Sequence, residues 1–170
     1  QVRSGEVVGI AGVSGNGQQE LLRALSGEDT RAQPAMVQVT GQDVARLGPQ
    51  QRRALGLHFV PEERLGRGAV PTMGLAHNLL LTRSDAVGAM GWLHLGQLKE
   101  QARAIIERFG VKAGGADAPA RSLSGGNLQK FIVGREIAAQ PKLIIIAQPT
   151  WGVDVGAAAQ IHAEILALRD

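Results

Sequence analysis

The sequence predicts an α/β fold, a parallel sheet flanked by helices with a helical subdomain inserted into it. Three observations predict it. Short aliphatic runs recur near residues 8, 58 and 145, separated by segments of helical period. Aromatics are scarce (3 Phe, 2 Trp, no Tyr) while 44% of residues are hydrophobic, so the core is aliphatic. Glycine numbers 23 in 170 residues, about twice its usual share, and concentrates where strands turn into helices.

Each element follows from local pattern. Val7-Val8-Gly9-Ile10-Ala11 reads as a strand that runs into the loop Gly12–Gly17, and Leu21, Leu22 and Leu25 then repeat at helical spacing until Gly27. Met36–Val39 alternates like a strand and turns at Thr40–Asp43, an edge hairpin. Pro49 opens a short helix through Leu55 whose wet face is read as Gln50, Arg52 and Arg53. Leu57–Val60 is a strand closed by Pro61. Glu62–Gly74 is a charged loop, and Leu75–Leu81 a helix. A polar connection passes Trp92 to an amphipathic helix over Leu95–Phe109, with Leu98, Ala102, Ile105, Ile106 and Phe109 on one face. Val111–Ser122 is a loop, Asn127–Ala139 a helix, Leu143–Ala147 a buried strand, and a last helix starts near Ala157. The first strand opens almost at residue 1 and no strand follows the last helix, so the sheet is predicted to be incomplete at one or both ends.

Composition excludes several classes. Lys and Arg exceed Asp and Glu by only 18 to 15 and are spread evenly, so no nucleic-acid partner is implied despite a pI of 9.9. That pI reflects the absence of Tyr and Cys, which leaves little to titrate between His and Lys. Zero cysteines exclude a disulfide scaffold and Cys-ligated metal sites. No apolar run approaches the ~18 residues of a membrane span, and no signal peptide opens the chain, which together predict a soluble chain. His58, His77, His94 and His162 lack ligand spacing and are read as structural or surface residues.

Two glycine-bearing motifs carry the chemistry. Gly12–Gly17 fits the glycine frame of G-x-x-x-x-G-K-[ST], in which backbone N–H groups converge on a phosphate at a helix N-terminus. The next two places hold Gln18 and Gln19, so the cradle lacks its lysine and its metal-binding hydroxyl. By itself the loop is equally well explained as a tight strand-to-helix turn. A dinucleotide fingerprint fails for want of its third glycine. The second motif, Leu123-Ser124-Gly125-Gly126-Asn127, immediately precedes a helix. It is followed by the strand Leu143–Ala147, then Gln148-Pro149-Thr150 and Gly152-Val153-Asp154.

This ordered set resembles the ATP-binding-cassette (ABC) ATPases of the P-loop NTPase fold: a Walker A loop, an LSGGQ-like signature, a Walker B strand and a D-loop. Glu62 falls at the Q-loop position. The stretches GIAGVSGNGQQEL, FVPEERLGRG, LSGGNLQK and AQPTWGVDVGA are similar to the second cassette of the tandem ATPases that drive bacterial simple-sugar and nucleoside importers. Trp151 departs from that family, which usually has Arg there.

The resemblance implies one partial nucleotide-binding domain over 1–170, with 1–61 and 123–170 as the catalytic-type core and 62–122 as Q-loop and helical subdomain. Its degenerate P-loop comprises Gly12, Ser14, Gly15, Asn16, Gly17, Gln18 and Gln19. Ala147 and Gln148 stand where the family keeps a metal-orienting Asp and a catalytic Glu, so no catalytic residue and no metal ligand is expected. Leu123, Ser124, Gly125, Gly126 and Asn127 would contact a nucleotide in trans, with Asp154 in the D-loop. ATP is therefore expected weakly or in trans, and Mg²⁺ is not expected to be held by this domain. The implied partners are a competent cassette in the N-terminal half of the same polypeptide, membrane permease subunits and, indirectly, a periplasmic or lipoprotein substrate-binding protein. The implied location is peripheral, on the cytoplasmic face of the bacterial inner membrane. Arg64 and Arg67 are read either as facing a permease or as a solvated loop. Glu20 is read either as satisfying the helix N-terminus or as a solvated first-turn acid. The competing functions are a self-sufficient P-loop ATPase or kinase, which Gln18, Ala147 and Gln148 speak against, and a soluble ABC ATPase of DNA repair or translation.

Overall fold

A helix that buries residues on every side organises the molecule. In this computed structural model, which describes residues 1–13, 15–83, 88–89 and 92–169, that helix is α5, Gly125–Ala138. The elements before it are α1 (Gln18–Ser26), β1 (Gln38–Val39), β2 (Gln42–Asp43), α2 (Pro49–Ala54), β3 (Leu57–Val60), α3 (Leu75–Leu80), β4 (Gly88–Ala89), β5 (Trp92–Leu93) and α4 (Leu95–Arg108). After it come β6 (Leu143–Ile146) and α6 (Val155–Ala167).

The predicted parallel pairing is present: β3 lies beside β6 with Leu57 opposite Leu143 and Val60 opposite Ile146. Alternation along these strands splits the apolar side chains between two clusters. Val60, Ile144 and Ile146 join the main core with Phe109, Phe131, Ile132, Val133 and Ile161, while Leu57, Leu143 and Ile145 join Val39 and Val44 beneath the β1–β2 hairpin. α3 and α4 add Leu75, Leu79, Leu98, Ala102 and Ile105 to the main core, the face that the period of α4 predicts. At the meeting of α4 and α5 only glycine fits: a Cβ at Gly134 would lie 2.7 Å from the ring of Phe109.

Local chemistry sets the ends. Gly17 and Gly27 bracket α1 at φ +91° and +87°, left-handed conformations that glycine adopts without strain. Gly48 N–H donates to Gln51 Oε1 at 3.0 Å, and Pro49 takes the first position of α2, whose N–H has no helical acceptor. α5 begins at Gly125, two residues before the predicted start, because Ser124 caps it. Likewise α6 begins at Val155, with the Asp154 carboxylate accepting from Ala157 N–H at 2.9 Å.

Three expectations are corrected. The strand expected to be buried over Leu143–Ala147 is partly exposed along its whole length, Leu143–Ile146, with only Ala147 after it buried. Val7–Ala11 forms no strand: Val7, Val8 and Ile10 are more than half exposed, and no described residue pairs with them. A parallel strand takes all its ladder bonds from neighbours, so an apolar run alone does not make one. Arg52 and Arg53 are not on a wet face: Arg52 is fully buried, and the largely buried Arg53 side chain turns inward to Glu136. The Arg52 guanidinium donates to the carbonyls of Leu47 (2.8 Å), Ala24 (2.5 Å), Leu25 (2.8 Å) and Ala45 (3.3 Å). It thereby satisfies carbonyls in the last turn of α1, which have no helical donor. Burial pulls its pKa down from the ordinary arginine value.

Candidate nucleotide-binding site

The glycine loop enters α1 without a side-chain cap. Gly15 at φ +89° and Gly17 at +91° turn the backbone in a way few other residues tolerate. Gln18 folds back over the loop: its Oε1 accepts from Asn16 N–H at 3.0 Å and its Nε2 donates to the Val13 carbonyl at 2.7 Å. Glu20 lies in the first turn of α1 and makes no capping hydrogen bond among the described residues. Ser14 lies outside the described residues. Gln19 reaches across 43 positions, its Nε2 donating to Glu62 Oε2 at 3.0 Å, so the Walker A and Q-loop positions meet.

A cleft of about 500 Å³ joins four of the predicted segments and is lined by Gln19, Glu62, Arg64, Leu123, Gly125 and Trp151. On its far side Ser124 sits at the N-cap of α5 in extended backbone, its Oγ accepting from Asn127 Nδ2 at 2.8 Å. Asn127 Oδ1 in turn accepts from Lys112 N–H at 2.8 Å, which ties the signature to the segment after α4. Ser124 and Gly125 are exposed and Gly126 is buried. A Cβ at Gly126 would lie 3.3 Å from Asp154 Oδ2, so the D-loop carboxylate rests against the signature while capping its own helix. The bond from Ala157 N–H, foremost, holds the Asp154 carboxyl below the usual range.

The end of β6 is plain. Ala147 is buried and donates its N–H to the Val60 carbonyl at 2.9 Å, offering no side-chain ligand. Gln148 is exposed at φ +49°, where its carbonyl accepts from Trp151 N–H at 3.2 Å. Trp151 is 67% exposed.

Arg64 was missed as a site residue. Its Nε donates to Gln129 Oε1 at 3.0 Å, and its guanidinium stands within van der Waals reach of the Cβ positions of Gly125 and Gly152. It therefore faces inward, between signature and D-loop. Arg67 instead pairs with Glu28 (2.6 Å) and Glu63 (2.7 Å). The Arg67–Glu63 pair is local, four residues apart, but the partners that set the two arginines on different sides, Gln129 and Glu28, are 65 and 39 residues away.

Near its other end, α5 is anchored by charge. Glu136 is fully buried and accepts from Arg53 Nη1 (2.5 Å) and Arg135 Nε (2.9 Å), with His58 Nδ1 at 2.9 Å. Arg135 Nη1 also donates to the Asn78 carbonyl at 3.1 Å. Burial alone would raise the Glu136 pKa, but the hydrogen bond with His58 and the charges of Arg135 and Arg53 outweigh it and hold it at about 2. His58 is thus structural, as its lack of ligand spacing predicts.

The ABC transporter family profile matches residues 1–151. The chain belongs to the ABC transporter family. This cassette is 39% identical over 171 residues to the guanosine import ATP-binding protein NupO of Bacillus subtilis, covering 99% of the chain and 33% of that protein. It is 43% identical over 172 residues to the glucose import ATP-binding protein TsgD13 of Haloferax volcanii, covering 99% of the chain and 31% of that protein. The ribose import ATP-binding protein RbsA 1 of Rubrobacter xylanophilus matches at 39% over 163 residues, 95% of the chain and 32% of that protein. The cassette spans about a third of the length of these relatives. Its fold matches the dimeric ATP-binding cassette MJ0796 in a post-hydrolysis state bound to ADP and Pi, with a TM-score of 0.79 at 20% identity, over 100% of this chain and 72% of that one.

The family binds ATP, and the residues at this chain's own loop do not fit it. A Cβ at Gly12 would lie 2.7 Å from Gln18 Nε2, so where the family's loop has a lysine an uncharged amide lies against the glycines. The two positions beyond the loop that would meet phosphate and metal are joined to each other as the Gln19–Glu62 pair. Among the described residues no group of three or more His, Asp or Glu converges on a metal position, and no helix is long and apolar enough to cross a membrane.

Proposed function

We propose that the chain is a degenerate nucleotide-binding domain of a bacterial ABC importer for simple sugars or nucleosides. It gives its signature, Leu123–Asn127, to ATP held by a competent partner cassette and couples the hydrolysis there to transport. The partner is the N-terminal half of the same polypeptide. Residues 1–61 and 123–170 act as the catalytic-type core, and 62–122 as the Q-loop and helical subdomain that meets the permease. A substrate-binding protein delivers the solute, and the assembly sits on the cytoplasmic face of the inner membrane.

The observation that carries this reading is the contrast between the two ends of the cleft. At the loop, Gln18 offers an amide in place of an ammonium, Ala147 offers no ligand, and the Gln148 amide cannot accept a proton from water. At the signature, the Ser124 hydroxyl and the N–H groups of Gly125 and Gly126 open a 14-residue helix, with the Arg64 guanidinium beside them. That is a donor set suited to an anion arriving from outside. This chain's part is positional: it orients and neutralises, and moves no proton.

Steady-state ATPase of the full-length protein carrying Ser124→Arg tests it. A bulky cation at the N-cap blocks close approach, and turnover is expected to fall about 10²–10³-fold, as for loss of a preorganised donor. Unchanged turnover refutes donation in trans.

A further inference from the structure

We propose that Gln18 is a permanent internal occupant of the phosphate cradle, so that this chain closes its own P-loop with a side chain in place of a phosphate. The inference goes beyond the proposed function, which requires only that charge be missing from the loop; here the space itself is taken.

Three contacts carry it. Gln18 Oε1 accepts from Asn16 N–H at 3.0 Å, the kind of bond a phosphate oxygen takes from such a loop. Gln18 Nε2 donates to the Val13 carbonyl at 2.7 Å. The same Nε2 occupies the space beside Gly12 that any Cβ there would need, at 2.7 Å. A carboxamide is suited to this double task, since it accepts at one end and donates at the other. A lysine cannot accept from Asn16, and a carboxylate cannot donate to Val13.

The neighbouring residue extends the closure. Gln19 Nε2 donates to Glu62 Oε2 at 3.0 Å and ties the first turn of α1 directly to the Q-loop position. An entering phosphate has to break the two Gln18 bonds and then meet the Glu62 carboxylate, whose charge repels it.

Hydrogen–deuterium exchange of the full-length protein tests this on peptides spanning residues 12–20 and 61–66. In the wild type, the 12–20 peptide is expected to be protected without nucleotide and unchanged by millimolar ADP. Gln18→Ala should speed its exchange about tenfold, the effect of losing one ordinary hydrogen bond, while peptides from β3 and β6 stay unchanged. Gln18→Glu keeps the size and the acceptor but loses the donor to Val13, and should also speed exchange; it decides the matter if the alanine variant unfolds. Gln19→Ala should loosen the 61–66 peptide. Exchange in both Gln18 variants equal to wild type, or protection of the wild-type 12–20 peptide by ADP, overturns the proposal. Either result leaves donation in trans standing, because Ser124→Arg reads the opposite end of the cleft.

Discussion

Replacing Glu136 with Gln removes one negative charge from a place with no water to substitute for it. Glu136 is fully buried, and Arg135 beside it is 3% exposed. The glutamine keeps the shape and one acceptor but leaves the Arg135 and Arg53 guanidiniums without a counter-charge. Removing one partner from a buried ion pair costs about 3–5 kcal/mol. For a domain of this size that loss lowers the melting temperature by about 6–20 °C. The sign with pH follows from the depressed value. The contribution is complete above pH 4.5, fades as pH falls, and is gone near pH 2, so the gap between wild type and Glu136→Gln should close across that window. Differential scanning calorimetry at pH 7 and along an acid series measures both effects. A pH 7 difference under 2 °C, or a gap that persists unchanged at the acid end, refutes the reasoning.

Two other substitutions test the frame that holds the site. Gly134→Ala places a methyl 2.7 Å from the buried Phe109 ring, and overpacking of this kind costs about 1–3 kcal/mol; thermal melting checks it, and an unchanged midpoint means that α4 and α5 are not in close contact. Arg52→Met retains the apolar stem but strands the carbonyls of Ala24, Leu25, Ala45 and Leu47. It should destabilise by about 1–3 kcal/mol, with hydrogen exchange rising in the last turn of α1 before the rest of the core.

Local features were readable from sequence because their causes are local. The β1–β2 hairpin, the Pro49 helix start and the apolar stripe of α4 each depend on residues within a few positions. The motifs were readable for the same reason: a phosphate loop is a string of backbone N–H groups, and its glycines announce it. What required the fold was non-local. Val7–Ala11 has the composition of a strand, but composition supplies no neighbour. Arg52 looks solvated on a helical wheel until α1 ends above it. The start of α5 was misplaced because Gly125-Gly126 reads as loop, whereas the Ser124 cap makes those glycines its first turn. Gln18 could be seen to lack charge, but not to bend back onto Asn16 and Val13.

The contacts from the glycine loop to the signature form a short path. Gln19, in the first turn of α1, holds Glu62. Two residues on, Arg64 holds Gln129 and lies against Gly125 at the start of α5. Two residues of the Q-loop segment, Glu62 and Arg64, therefore link the first turn of α1 to the start of α5. Residues linked through one chain of contacts are expected to couple. Gln19→Ala and Ser124→Ala should accordingly show a coupling of about 0.5–3 kcal/mol in ATPase turnover of the full-length protein, measured as a double-mutant cycle. Strict additivity would mean that the Gln19–Glu62 contact has no influence on the signature. A measurable coupling would mean that Gln19 acts as a brace, holding the Q-loop segment and its Arg64 against the start of α5.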